Sequence, residues 1–389
     1  MDFEFSKHQK MIQKEVRRFA QEELAPRYQQ WDREKRYPRE LVKKMGDLGF
    51  IGVSVSQENG GLGESFITEG IVCEEISRGD CSISMSTHVA NHLCGGLLEQ
   101  GHKEAKDAFL GPFLAGEKIP AFCLTEPGCG TDAAALQTRA EKKGAAYVLN
   151  GEKSGITAIM DADFALVFAK TDPEAGAQGV SCFVIPMDLP GVSTQSYEDL
   201  GCNAVVRGSL FLQDVEIPET YLIGQEGKGF KLAMQGFDQS RILLCLEALA
   251  PAFVSLEETM EHVKQRQAFG RPLATFEGVS FPIIEHFSLL EAVRLLCYKA
   301  LWLRDQGRSS SKEAGMVKWM APRFSTNAIR DCIVLHGHYG YTKDYPLEQR
   351  LRDVLAIEIA DGTSQVSKLV VHREMMGREF LPYNYRYYR

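Results

Sequence analysis

The sequence predicts a mostly α-helical chain with a central β domain, and two observations carry that prediction. Apolar residues recur at helical spacing up to about residue 118 and again after residue 230. Between those regions lie short apolar runs cut by Gly and Pro. Domains are therefore placed at 1–118, 119–230 and 231–389 of the 389 residues.

In the first region, "HQKMIQKEVRRFAQEELAPRYQQWDR" sets Ile12, Val16, Phe19 and Leu24 at roughly helical spacing with charges between them. "PRELVKKMGDLGF" reads as a short amphipathic helix begun by a proline, and "QENGGLG" as a turn-rich loop. Two further helices run through "FITEGIVCEEISRGD" and "VANHLCGGLLEQG". In the second region, "DFALVFAKT", "VSCFVIPMD" and "GSLFLQDVEIP" are strand-length, and the "NG" of "NGEKSGIT" signals a hairpin turn. After "GQEGKGF" the helical period returns, in stretches long enough for bundle helices, the first opened by "FDQSR".

Composition bounds the function. The chain is 44% hydrophobic and 25% charged, with a formal net charge of -8. That balance argues against a nucleic-acid backbone binder, which needs clustered Lys and Arg. The ten cysteines show no C-x-x-C spacing, and no Cys/His cluster reads as a zinc site. Unpatterned thiols in that number favour a reducing, cytoplasmic setting. "MDFEFSKHQK" has neither a signal core nor the look of a transit peptide, and no apolar run reaches transmembrane length.

"CLTEPGCGTD", "NGEKSGIT", "RQAFGRP" and "DGTSQ" occur in that order across the three regions. With the helical, β, helical order, they make the chain resemble the acyl-CoA dehydrogenase family over essentially its whole length. The resemblance implies an α-helical N-terminal domain, a β-barrel-like middle domain and a C-terminal four-helix bundle. It also implies FAD, an acyl-CoA substrate, an electron-transferring flavoprotein as electron acceptor, and a homotetramer. No nucleic acid and no membrane insertion are expected. The implied reaction takes a proton from the α carbon of a thioester and a hydride from the β carbon. Such chemistry needs a carboxylate at the α carbon and hydrogen bonds on the carbonyl oxygen.

Carried over residue by residue, the resemblance puts Leu124, Thr125, Gly130 and Thr131 along flavin and substrate. It puts Thr157 near flavin N5, and Asp238 and Arg241 toward the CoA. Arg266 and Phe269 would meet the FAD of a neighbouring subunit, and Thr363 and Gln365 the adenine region. The base slot directly before Gly-Thr holds Asp361, beside Gly362. Its main-chain N–H, with a flavin ribityl hydroxyl, would hold the thioester oxygen. Some members place the base two residues after Asp238, but Ser240 cannot serve. Bland readings stand beside these. The 124–131 loop is also a strand-exit turn, Arg241 a structural ion pair, Gly270 a helix terminator, and Asp361 a cap or turn before Gly362. Glu358, one turn earlier, is the competing base.

Three positions depart from the family pattern: Gly155 where an aromatic is usual, Val334 for Gln, and His338 for Gly. His336 and His338 read as structural or interfacial side chains rather than metal ligands. In the pocket segment "SISMSTHVANHLCGG", Ser86, His88, Asn91 and His92 are unusually polar, and Asn91 is a candidate substrate contact. Asp is one methylene shorter than Glu, so backbone or substrate must come closer. Asp361 and Gly155 together suggest an alicyclic acyl-CoA such as cyclohexanecarboxyl-CoA. The alternatives are a short-chain or dicarboxylyl acyl-CoA dehydrogenase, an acyl-CoA oxidase, or a non-dehydrogenase flavoprotein module of the same fold. A dicarboxylyl enzyme would want Arg or Lys in residues 82–96, which have none.

Overall fold

A computed structural model describes residues 4–381. The aromatic, basic tail "REFLPYNYRYYR" lies outside the described residues from position 382 on. The first helices are α1 (Lys7–Phe19), α2 (Tyr28–Glu34) and α3 (Arg39–Asp47). A capping box starts α1: Ser6 accepts from the Gln9 N–H, and Gln9 reaches back to the Ser6 N–H. The stretch that reads as one amphipathic run is broken after Phe19 by a π-helical turn, Ala20–Leu24. Val16, Phe19 and Leu24 are buried as their spacing predicts.

Two more helices follow, α4 (Phe66–Gly79) and α5 (Cys81–His88), and α5 continues as a π-helical segment, Val89–Gly95. Nearly all of α4 is buried, including three carboxylates, and each has a partner on another element. Glu75 takes Arg17 of α1 at 2.6 and 2.7 Å. Glu74 takes Arg294 and Tyr298, and Glu69 takes Gln239. Buried charges persist only when paired in this way.

The middle region is one sheet of eight strands: β1 (Pro120–Cys123), β2 (Arg139–Lys143), β3 (Ala146–Ile156), β4 (Phe164–Lys170), β5 (Val180–Pro186), β6 (Val192–Ser196), β7 (Gly208–Pro218) and β8 (Leu222–Ile223). The order is β6-β7-β3-β2-β4-β5-β8, with β1 parallel to β4. A single rung, Arg139 opposite Lys170, joins β2 to β4. The sheet's two halves enclose a separate core that includes Tyr147, Leu149, Phe183 and Leu210, the expected barrel-like arrangement.

Asn150–Gly151 is not the hairpin turn that its sequence suggests. It lies inside β3, at a register shift against β7. A Cβ on Gly151 would meet Thr138 Oγ1 at 2.4 Å, so this glycine serves close approach. The β2–β3 turn falls at Gly144, where φ is +64°.

Five α-helices follow among the described residues: α6 (Gly229–Gln265), α7 (Glu277–Asp305), α8 (Ser311–Leu335), α9 (Leu347–Ile359) and α10 (Ser364–Met376). Helix α8 packs against the other four. With α9 and α10 as one interrupted column, this is the expected four-helix bundle. "FDQSR" sits eight residues inside α6 rather than at its start. Gly270 does not terminate α6 either. With Phe269 it turns a small hairpin, Gln267–Ala268 against Arg271–Pro272, and both turn residues have positive φ.

At the junction of the three regions, Asp80 caps α5 through the N–H groups of Ser82 and Ile83. Asp353 of α9 accepts the Cys202 N–H at 2.6 Å. Burial pushes both carboxyls up to about 7. A folded-state value above the unfolded one stabilises the fold while the group is protonated. That contribution is lost as pH rises from about 4 toward about 7, by up to ~1.4 kcal/mol per pH unit for each group. Denaturant titration of Asp80→Asn/Asp353→Asn should therefore show a flatter dependence across this window than the unaltered protein. An unchanged slope would place the titration elsewhere.

Candidate active site

Residues 360–363 interrupt the fourth helix column. Ala360 is extended, Asp361 has φ +51° and Gly362 has φ +95°. A left-handed backbone suits Gly and is tolerated by Asp, at a cost of about 1–3 kcal/mol for a non-glycine residue. Three side chains from other helices hold the break. Lys318 of α8, fully buried, donates to the Ile357 carbonyl at 2.7 Å and the Gly362 carbonyl at 3.1 Å. Arg241 of α6 donates Nε–H to the Asp361 carbonyl at 3.0 Å. Ser240 donates its hydroxyl to Asp361 Oδ2.

The two carboxylates of "EIADGTSQ" thus have different surroundings. Glu358 accepts the Ser364 hydroxyl at 3.1 Å, at the start of α10. Asp361 does not cap that helix. Thr363 does so, its Oγ1 taking the Val366 N–H. Gln365 is exposed on the first turn of α10.

Arg241 also meets Asp238 at 3.2 Å, and Asp238 accepts from Ser311 at 2.7 Å. Both residues expected to face CoA are therefore tied to the wall that carries Asp361. Burial pushes the Lys318 ammonium down from its ordinary pKa, as removing a cation from water must.

The 124–131 loop is pinned to β3. Buried Lys153 donates to the Leu124 carbonyl at 3.1 Å and to Glu126 at 2.7 Å, and the Ser154 N–H donates to the Thr125 carbonyl at 2.9 Å. The Glu126 carboxylate also takes the N–H groups of Gln137 and Thr138. This pinning places Leu124 and Thr125 beside the strand that ends at Gly155–Ile156 and leads to Thr157. Thr125, Gly130 and Thr131 are exposed.

Arg266 and Phe269 do not join this group. Arg266 lies 25 residues beyond Arg241, roughly 37 Å along the helix. Phe269 is 95% exposed. Asn91 is committed elsewhere: its amide donates to the Phe50 carbonyl at 2.9 Å, and its oxygen takes the Gly52 N–H at 3.0 Å. It braces the 50–52 loop through both ends of its amide. His336 is buried, bonded to the Cys332 carbonyl and stacked on His262 at 4.2 Å. Among the described residues no group of three His, Cys, Asp or Glu could hold a metal ion, and no helix is long and apolar enough to cross a membrane.

Sequence reasoning did not single out Lys318 or the buried pair His88–Glu247, nor did it see Ser240 as a partner for Asp361. A signal existed for two of these: Lys318 and Glu247 are lone charges inside apolar helical stretches, "GMVKWMA" and "ILLCLEALA".

Family models for the acyl-CoA dehydrogenase N-terminal, middle and C-terminal domains match residues 6–117, 121–215 and 227–376. The short-chain-specific acyl-CoA dehydrogenase of Clostridium acetobutylicum is 38% identical over 375 residues, covering 95% of this chain and 98% of that one. The glutaryl-coenzyme A dehydrogenase–glutaryl-CoA complex superposes with a TM-score of 0.94 at 31% identity, over 98% of both chains. A chain from the structural study of the electron transferring flavoprotein of Acidaminococcus fermentans gives a TM-score of 0.93 at 34% identity, over 97% of this chain and 100% of that one. The chain belongs to the acyl-CoA dehydrogenase family and is an FAD-dependent oxidoreductase.

Proposed function

We propose that this protein dehydrogenates an alicyclic acyl-CoA, such as cyclohexanecarboxyl-CoA, between its α and β carbons, with Asp361 as the base. The observation that carries this reading is the setting of Asp361. It sits at a backbone break, Arg241 holds its carbonyl while Lys318 holds that of Gly362 beside it, and its carboxylate meets only a neutral hydroxyl among the bonds described above. Glu358 is engaged at the start of α10 and is the weaker candidate. The shorter arm of Asp favours an α carbon brought close to the backbone. Gly155, at φ +68°, puts no side chain at this edge, which is the departure from the family's usual aromatic that favours a bulkier acyl group.

The residues present fit FAD. Leu124, Thr125, Gly130, Thr131 and Thr157 form a pinned, partly exposed edge for the flavin. Thr363 and Gln365 lie at a helix start suited to polar contacts. Exposed Arg266 and Phe269 offer a guanidinium and a ring for a neighbouring subunit's pyrophosphate and adenine. Bound FAD supplies the hydride acceptor for the β carbon. Arg241 and Asp238 orient the CoA end, and the Asp361 and Gly362 main chain meets the thioester oxygen. Lys318 is a positioning residue that acts through the 357–362 carbonyls.

An electron-transferring flavoprotein is the proposed acceptor, consistent with the likeness to the Acidaminococcus chain. Exposed Phe281, Ile284, Leu295 and Trp302 line α7 and favour a homotetramer that covers them. Ten free, buried cysteines agree with a reducing cytoplasm.

Anaerobic bleaching of the bound flavin should be faster with cyclohexanecarboxyl-CoA than with butyryl- or octanoyl-CoA. The reverse order discards the alicyclic reading. Asp361→Asn should retain flavin and slow bleaching by about 10²–10⁴-fold, the usual worth of a general base. Full-speed turnover would remove Asp361 from that role. Lys318→Met should lower kcat by up to about 10²-fold, as expected for a base displaced by ~1 Å, with KM little changed and partial recovery in Lys318→Arg. Equal effects on kcat and flavin content would mean a folding role instead.

A further inference from the structure

Away from Asp361, helices α1, α2, α4, α6 and α9 converge on an open crevice of about 390 Å³. Arg350, which lines it, lies nine residues before the end of α9, roughly 13 Å along the helix. The crevice is therefore separate from the break that holds Asp361. Tyr28 of α2 also lines it, at 8% exposure, and the Tyr28 hydroxyl is buried without a hydrogen-bond partner. Burial pushes the pKa of this hydroxyl up, so it stays a donor. A buried O–H with no acceptor is costly, and this one belongs to the wall of a cavity that opens to solvent.

The charges of the crevice are layered. Arg17, Arg78 and Arg350 line it, against the carboxylates of Glu257 and Glu258. The Arg350 and Arg78 side chains are 10% and 20% exposed, those of Glu258 and Glu257 45% and 46%. The two guanidiniums thus lie at the floor and the two carboxylates at the rim, in reach of water. Arg350 donates to Glu258 at 2.6 and 2.8 Å and to Ser255 at 3.3 Å, and Arg78 donates once, to Glu257. A guanidinium has five N–H groups, so among the described residues both keep donors to spare. The Arg350 guanidinium stands 6.0 Å from the centre of the Tyr28 ring. Helix α9 begins on the same wall, behind Pro346, with no side-chain cap. Its positive end adds to the floor, while Arg78, in the last turn of α4, offsets the negative end of that helix.

We infer that this crevice binds a small oxyanion, a phosphate or carboxylate group, whose oxygens take the Tyr28 O–H and the spare N–H groups of Arg350 and Arg78. The floor offers donors and positive charge, which calls for an acceptor that carries negative charge, and a guanidinium fork matches either oxyanion. Ala20 and Val254 give the same crevice an apolar wall for a short organic body behind a carboxylate. A bound oxyanion joins the N-terminal helices to α6 and α9, so it stabilises the folded chain. The inference does not depend on which acyl-CoA the enzyme oxidises.

The test titrates the flavin-loaded enzyme with inorganic phosphate and, separately, with butyrate, by calorimetry at an ionic strength held constant with chloride. At least one of the two should bind saturably, raise the midpoint of thermal unfolding and leave the flavin absorbance unchanged. Tighter phosphate identifies a phosphate ligand, and tighter butyrate an organic carboxylate. Tyr28→Phe, which removes only the hydroxyl, should weaken binding by about five- to tenfold, the worth of one hydrogen bond. Arg78→Gln/Glu257→Gln, which removes a floor cation without stranding its carboxylate, should weaken it at least as much. No saturable binding of either anion to the unaltered enzyme overturns the inference. So does an affinity that both variants leave unchanged, or a butyrate titration that shifts the flavin spectrum and ignores Tyr28→Phe, since that ion sits at the flavin instead.

Discussion

A buried ammonium holding a broken helix is the constraint on which the site depends. Helix α9 ends four residues before α10 begins, and its last carbonyls lose their intrahelical partners. Lys318 supplies one at Ile357 and reaches across the gap to Gly362. The break cannot close into continuous helix without removing the carbonyl geometry that satisfies this cation. Nor can the lysine leave without stranding two acceptors away from water. Each justifies the other, and Asp361 is left outside helical geometry with its main chain fixed on both sides.

The same logic extends outward from α6. That helix carries Gln239, Ser240, Arg241 and Glu247, which face Glu69, Asp361 and His88 on three other segments. Helix α4 repeats the pattern, with Glu69, Glu74 and Glu75 each engaged by a different element. Apolar packing sets how closely these helices lie, but it is tolerant of register. Paired buried charges are not, because a one-residue slip would leave several carboxylates unpaired, each breakage worth about 3–5 kcal/mol. The polar interior therefore fixes which residues meet at the site.

Much of this was legible in the sequence, for local reasons. Helical periodicity found α1, α3 and the bundle helices, and runs such as "DFALVFAKT" marked strands. Asp361 stood out because Gly362–Thr363 follows it directly, and the structure sets it at the break between α9 and α10. Misreadings arose where a local signal had a tertiary meaning. Asn150–Gly151 has the composition of a turn, but Gly151 is there to let Thr138 approach. Gly270 has the look of a helix stop, yet it turns a hairpin two steps further on. Asn91 seemed available to substrate because sequence does not reveal that the 50–52 backbone takes both its polar ends. Lys318 and His88 were invisible as partners, since their counterparts lie 39 or more positions away.

Ser240 shows how one position on α6 bears on the setting of Asp361. Some family members place a carboxylate there; here a hydroxyl donates to Asp361 instead. That bond orients the short carboxylate, while Arg241, the next residue on the same helix, holds the Asp361 carbonyl. Neighbouring residues of α6 thus fix both the side chain and the main chain of Asp361, so a shift of that helix would carry the carboxylate and its backbone together.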